Sequence, residues 1–317
     1  MATTLNITST YAGEHAGKYI SASLLSANTI LKGGVEVRPN IKFKEVVSKM
    51  SVSDDLLADG TCDFAATSTV TKVERILQPK ELQVNLQLCR QTLRQDWEAI
   101  EMGVGIMNDN MPKSFQDFLI GHVAEKVAAN IEVALWRGVD GAGSFDGLTT
   151  LLAADADLPA ANEITGTSID ASNVIDELGK IVDAIPTSLY GKEDLSIYIS
   201  QNIYRAYVRS LGGFGANGLG ANGFRGEGNN QSFGDLMFDG VKLFVANGLA
   251  DDTAICAEKG NLFFGTSLLS EMQEISILDM RNLDGSQNVR YVQRFTAGVQ
   301  YGNVEDIVTY GIVNAAN

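Results

Sequence analysis

The longest run of helical periodicity lies at residues 114–138, SFQDFLIGHVAEKVAANIEVALWRG. Phe115, Phe118, Leu119, Val123, Val127, Ile131, Ala134 and Leu135 recur there at intervals of three and four, which predicts one long amphipathic helix. Its ends are marked too. Pro112 precedes it, Ser114 with Asp117 three residues on resembles a capping box, and Gly138 stands where a C-cap glycine belongs. At 1.5 Å per residue the helix spans about 36 Å, comparable with a small domain. Shorter helices are expected at about 172–185, through Val174, Ile175, Leu178, Ile181, Val182 and Ile185 with Pro186 as the stop, and at Ile203 to Leu211. A helical segment through Ile20, Leu24, Leu25 and Leu31 is expected in the leader, ended by Gly33 and Gly34.

Elsewhere the period is two. VEVRPNIKFKEVVSKM and LQVNLQLCRQTL alternate apolar with polar residues, the latter through Leu82, Val84, Leu86 and Leu88, and they bracket a Ser/Thr/Asp-rich middle from Ser51 to Thr71. The expected structure is a two-strand arm with little core of its own. Such a hairpin is marginal in water, so it calls for another surface to lie on. LSIYIS at 195–200 reads as a buried strand. The last third is β-rich, with GVKLFVAN, TAICAE, LFFGTS, EISILDM, VRYVQRFTAGVQYG and DIVTYGIV separated by turns. The fold class is α+β.

Composition narrows the function. The 317 residues are 45% hydrophobic and 20% charged, as in an ordinary globular protein, and are enough for one large domain or two smaller ones. The start, MATTLNITSTYAG, lacks the features of a secretion signal, and no run is long and apolar enough to span a bilayer, so a cytoplasmic protein is expected. Cys62, Cys89 and Cys256 form no CxxC pair and read as reduced, small apolar residues. With 24 basic against 39 acidic residues, the net charge of -15 disfavours a grip on phosphate backbones. It remains compatible with containing DNA without adhering to it.

The usual catalytic groups are poorly represented. His15 lies in a polar leader and His122 in the long helix, neither in a nucleophile signature, and there is no HExxH or P-loop. DGAGSFDG at 140–147 superficially suggests a calcium loop, but Ala142 and Phe145 stand where an oxygen ligand and the turn glycine are needed, so it reads as a tight loop. Acidic pairs such as Asp54 with Asp55 and Asp251 with Asp252 read as solvated carboxylates. No catalytic, cofactor or metal site is predicted. The spacing GxGxxG does occur twice, from Gly213 to Gly218 and from Gly218 to Gly223, within GGFGANGLGANGFRG. A dinucleotide site needs a strand before those glycines and a helix after them. Here a helix precedes and turn formers follow. Gly213, Gly215, Gly218, Gly220 and Gly223 are therefore expected to form a flexible surface loop, with a nucleotide-binding enzyme as the lesser alternative.

In order, these elements resemble the HK97-like major capsid proteins of tailed bacteriophages. AEKVAANIEVALWRGVDGAGSFDGL is similar to the family's spine helix followed by a glycine-rich turn. DLSIYISQNIYRAYVRSL is similar to its buried strand and following helix, and LMFDGVKLFVANGLADDTAICAEKGNLFFGTSL to its returning strands. The resemblance covers the chain from about residue 35. It implies an N-terminal arm (1–34), an extended E-loop (35–95), a peripheral domain with the spine helix (96–190), an axial domain (191–270) containing the glycine loop, and strands returning to the peripheral domain (271–317). It further implies a non-enzymatic shell protein that forms pentamers and hexamers around phage DNA without sequence-specific binding, in a virion capsid assembled in the host bacterial cytoplasm. A portal protein would be a partner. A separate scaffolding protein is expected because only some 34 residues precede the E-loop. Val35, Val37, Ile41, Phe43, Leu82, Val84 and Leu86 are the expected intersubunit contacts. Lys42, Lys44 and Lys49 are the E-loop lysines, and no cross-link is expected of them. An encapsulin-type compartment is the alternative with the same fold.

Overall fold

A computed structural model describes residues 28–52, 57, 70–89, 113–141, 143–211, 236–267, 275–280, 283, 285–286 and 288–314. The leader before residue 28, with His15, and the glycine loop at 212–235 lie outside the described residues, as do the side chains of Ser114, Phe115, Asp117, Phe118, Leu119 and His122.

The long helix forms as its periodicity predicts, over Lys113–Arg137 (α2). Val123, Val127, Ile131 and Leu135 make one buried row at i, i+4 spacing, and Ala128, Glu132 and Trp136 make a second buried row beside it. Gly138 follows, for a different reason from the one the sequence suggests. Its backbone is not left-handed; a Cβ there would stand 2.2 Å from the Phe145 carbonyl oxygen and 2.5 Å from that of Ala134. The glycine lets the tight loop fold back against the helix end, where Gly147 N–H donates to Gly138 O (2.9 Å). The loop then leads into a short helix, Leu148–Ala153 (α3).

A five-stranded sheet shares the core that the helix's first buried row enters. Its strands are Glu36–Arg38 (β1), Lys80–Cys89 (β4), Leu262–Gly265 (β10), Ile275–Asp279 (β11) and the 14-residue Asn288–Tyr301 (β12), in the order β1-β10-β12-β11 with β4 also on β12. Alternation along β12 decides its faces. Val289, Tyr291, Phe295, Ala297, Val299 and Tyr301 enter the core with Ile120, Ile131, Leu135 and Trp136, whereas Arg290 and Arg294 point out. Each large side chain buried this way contributes about 1.5–3 kcal/mol.

A six-stranded sheet forms the second layer system. Its strands are Glu163–Ile164 (β5), Leu195–Ile199 (β6), Met237–Phe238 (β7), Val241–Val245 (β8), Ala254–Glu258 (β9) and Val308–Tyr310 (β13), ordered β5-β13-β9-β6-β8-β7. Helices Val174–Asp183 (α4) and Gln201–Ser210 (α5) pack on one face through Leu178, Ile181, Ile203 and Tyr207. The other face sends Tyr198, Phe244, Ile255 and Ala257 into the core of α2. Burial on both faces explains why LSIYI, VKLFV and AICAE read as almost unbroken apolar runs. β7 and β8 join through Asp239 and Gly240, both at positive φ (47° and 80°), the backbone of a two-residue hairpin turn.

The arm is a real hairpin, but not the expected one. Glu45–Val52 (β2) pairs with Val70–Leu77 (β3) over eight registered positions, from Glu45 opposite Leu77 to Val52 opposite Val70. The stretch 82–88, expected as the second arm strand, instead lies in β4 and pairs with β12 from Lys80 opposite Ala297 to Cys89 opposite Asn288. Its alternating leucines reflect packing against the body: Leu82 is buried in the main core and Val84 and Leu88 pack against it.

Candidate assembly surfaces

The root of the arm is tied to the body by three kinds of contact. Leu77, fully buried, packs with Ile41, Phe263 and Val47. Gly265 sits so close that a Cβ would meet Leu77 Cδ2 at 2.9 Å and Ile41 Cδ1 at 3.0 Å. The second contact is ionic. Arg75 on β3 lays its guanidinium 4.6 Å from the Tyr301 ring centroid and places Nη2 2.6 Å from Asp155 Oδ2, which also accepts from the Tyr301 hydroxyl (2.6 Å). Burial works to raise the Asp155 carboxyl, but the Tyr301 hydroxyl, the Asp157 N–H and the Arg75 charge together hold it below its ordinary range. Third, Lys49 on β2 reaches Glu305 Oε2 and Asn303 Oδ1, both at 2.6 Å.

Apolar side chains of the arm are nonetheless exposed. Val46 and Ile76, paired at the root itself, are half uncovered, and Val70 and Val73 are exposed nearer the tip. Apolar side chains on an unsupported ribbon are what a second surface would cover. The sequence pattern did not single out these four. Of the residues expected to meet a neighbour, Val35, Ile41 and Leu82 are buried in this chain's own cores and Val84 packs against one, which accounts for their apolar character without a partner. Val37, Phe43 and Leu86 remain exposed, Phe43 most of all at 70%. Among the E-loop lysines, Lys49 is held in its ion pair while Lys42 and Lys44 are exposed, Lys44 lying over the Phe43 ring.

A second junction joins the leader to the body. Residues Asn28–Leu31 (α1) and the turn through Gly33 and Gly34 strap across α2 and β8. Thr29 N–H donates to Glu132 Oε2 (3.1 Å), the Thr29 hydroxyl donates to Oε1 (2.5 Å), and Trp136 Nε1–H donates to that hydroxyl (2.8 Å). Burial pushes the Glu132 carboxyl above its ordinary range, and these hydrogen bonds, with one from the Gly248 N–H, pull it part of the way back. The Tyr198 hydroxyl donates to Gly34 O, and its ring contacts Trp136 (5.2 Å between centroids) and Phe244 (5.3 Å). One network thus holds leader, helix and six-stranded sheet together.

Among the described residues no group of three or more His, Cys, Asp or Glu could hold a metal ion, and no helix is long and apolar enough to cross a membrane. The glycine spacing at 213–223 follows helix α5 rather than a strand, and the next described strand is β7. In a dinucleotide fingerprint the element before the glycines is a strand.

No protein-family model and no curated protein matches this sequence. Solved structures do. The chain is similar to the capsid of a native GTA particle (15% identity, TM-score 0.59), with 99% of this chain and 95% of that one covered. It is similar to a chain of the satellite phage P4 procapsid that includes the Sid size-determination protein (8% identity, TM-score 0.54, 94% and 99% covered). The capsid of cyanophage P-SCSP1u is a further match, at 12% identity and TM-score 0.54 with 98% and 90% covered. The chain has the HK97-like capsid fold.

Proposed function

We propose that this protein is the major capsid protein of a tailed phage, tiling as pentamers and hexamers into an icosahedral shell around DNA. The observation that carries the reading is near-complete coverage in both directions against capsid chains, arm included, at negligible sequence identity. Three features support it. The arm exposes apolar residues beyond a firmly tied root, as a segment covered by a neighbour would. The net charge of -15 suits a wall along which packaged DNA slides. Heterologous contacts between copies close naturally into rings. The shell would form in the bacterial cytoplasm with a portal protein and a separate scaffolding protein as partners, and would do no chemistry. Electron microscopy of the expressed protein, alone and with candidate scaffolding protein, tests the reading. Closed polyhedral particles are expected; dispersed monomers under both conditions overturn it.

A further inference from the structure

Two glutamates, Glu132 and Glu177, are nearly closed off from water at 4% and 6% exposure, and the Asp155 side chain is 10% exposed. Two of these three acids have a cation. Lys180 Nζ lies 2.8 Å from Glu177 Oε1 and Arg75 Nη2 lies 2.6 Å from Asp155 Oδ2, and both carboxyls lie below their ordinary range. Glu132 has no cation among the described residues. Its oxygens accept from the Thr29 N–H, the Thr29 hydroxyl and the Gly248 N–H, all of them neutral donors. A carboxylate buried without a countercharge is costly, so this site favours the proton-bearing form more than water does.

The groups around Glu132 leave the site uncharged. From β6, Tyr198 sends its hydroxyl to Gly34 O, and burial raises that phenol, which stays protonated. Lys32 on the strap and Arg137 on α2 are exposed, and Lys259 Nζ lies beside Gly33, 3.2 Å from where a Cβ would stand. None of them moves the Glu132 carboxyl, whose position comes from burial, Thr29, Trp136 and Gly248. The strap's remaining ties are Asn28 Nδ2–H donating to Val245 O (2.5 Å) and the burial of Ile30 and Val35 in the core, and neither involves a group that ionises near neutral pH. Thr29 Oγ1 can serve both forms of the carboxyl. It donates to the carboxylate, or it accepts from Trp136 Nε1–H and from a protonated Oε1, which keeps the contact with no charge beneath the strap.

We propose that the strap Asn28–Gly34 is a proton-dependent latch on the leader, held shut over a protonated Glu132 and loosened when that carboxyl ionises. Closing buries the carboxyl and opening returns it to water, so opening releases a proton. Closure is fullest below the ordinary glutamate value of 4.5 and weakens as pH rises through the higher folded-state value. With the strap open, the chain is anchored from Val35 and β1 onward. Extended at about 3.5 Å per residue, residues 28–34 add about 24 Å to the leader's reach. The latch belongs to the single chain and stands or falls apart from the shell reading.

Hydrogen–deuterium exchange of the full, unassembled chain tests it, read by mass spectrometry as protection relative to the intrinsic exchange rate at each pH. In wild type, protection of peptides spanning 29–35 should fall about threefold or more as pH rises from 4.5 to neutrality, while β6 and β8 stay constant. Glu132→Gln, which cannot ionise, should abolish the dependence. If that variant lowers the urea midpoint, Thr29→Val serves instead: without the hydroxyl the carboxyl rises further, so the fall should begin at higher pH than in wild type. Strap protection that is flat or increases with pH, a fall shared equally by β6 and β8, or an undiminished fall in Glu132→Gln overturns the proposal. So does an unshifted profile in Thr29→Val.

Discussion

Thr29→Val isolates the junction between the leader and α2. Valine keeps the shape of threonine, so the change opens no cavity; it removes one hydroxyl that serves two buried groups. Glu132 Oε1 loses a donor at 2.5 Å and Trp136 Nε1–H loses its acceptor at 2.8 Å, while the Thr29 backbone N–H still donates to Oε2. A hydrogen bond to a charged group contributes about 1.5–3 kcal/mol, and an indole N–H left unsatisfied costs about 1–3 kcal/mol. The methyl that replaces the hydroxyl returns under about 1 kcal/mol. The net loss is about 3 kcal/mol, a large share of the roughly 5–15 kcal/mol that holds a typical domain. Urea unfolding of the unassembled chain, followed by far-UV circular dichroism, measures it.

The pH dependence supplies a sharper check. Glu132 already titrates above its ordinary value of 4.5 because burial outweighs its hydrogen bonds. Its contribution to stability is therefore fullest below that value and declines as pH rises through the folded-state pKa. Removing the hydroxyl takes away part of what favours the carboxylate, so the variant's pKa rises further. The penalty of Thr29→Val must then be larger at neutral pH, where an under-bonded carboxylate is buried, than at pH values low enough to protonate it. A penalty under about 1 kcal/mol at neutral pH, or one that grows on acidification, would refute the reasoning.

Three further outcomes are expected. Gly248→Ala sets a Cβ 2.1 Å from the Glu132 carbonyl oxygen and 2.8 Å from Trp136 Cδ1, so backbone must move; a loss at or above the upper end of about 1–3 kcal/mol should appear in the same urea assay. Arg75→Ala leaves Asp155 buried without its cation, raising that carboxyl and costing about 3 kcal/mol at the arm root. Limited proteolysis should then cut within the arm sooner than in wild type, with the rest of the chain intact. Cys256, whose thiol burial pushes up to about 12, should stay unreactive toward a thiol reagent in the folded chain and react on unfolding; prompt labelling in the native state would contradict its placement.

What could be read from the sequence follows from how completely each element is buried. Helix α2 was legible because Val123, Val127, Ile131 and Leu135 enter the core as one row. The strands of the six-stranded sheet were legible because both faces are covered. The second buried row on α2 was missed. Ala128, Glu132 and Trp136 recur at i, i+4 like the row beside them, and a glutamate in such a series signals a buried acid with donors waiting. Its donor, Thr29, lies 103 residues away, and no local pattern points to it. The same holds for Gly248 and Gly138, where contact with backbone distant in sequence or folded back by a loop, rather than turn geometry, excludes a side chain.

The arm shows why alternation misled. β4 alternates cleanly because its inner face rests on the core, so the strongest period-two signal marks attachment to the body rather than projection from it. β3 reads Val-Thr-Lys-Val-Glu-Arg-Ile-Leu, with apolar residues three apart, which fits neither template. Among its described side chains only the last, Leu77, is buried, and Arg75 is committed to Asp155 and Tyr301. The other described positions have no buried face in their own chain, so no core within one copy selects a period. Val70, Val73 and Ile76 are apolar yet exposed, so burial within their own chain does not account for them. That irregular pattern, more than the regular one beside it, is what the proposed shell would require of a segment covered by a neighbouring copy.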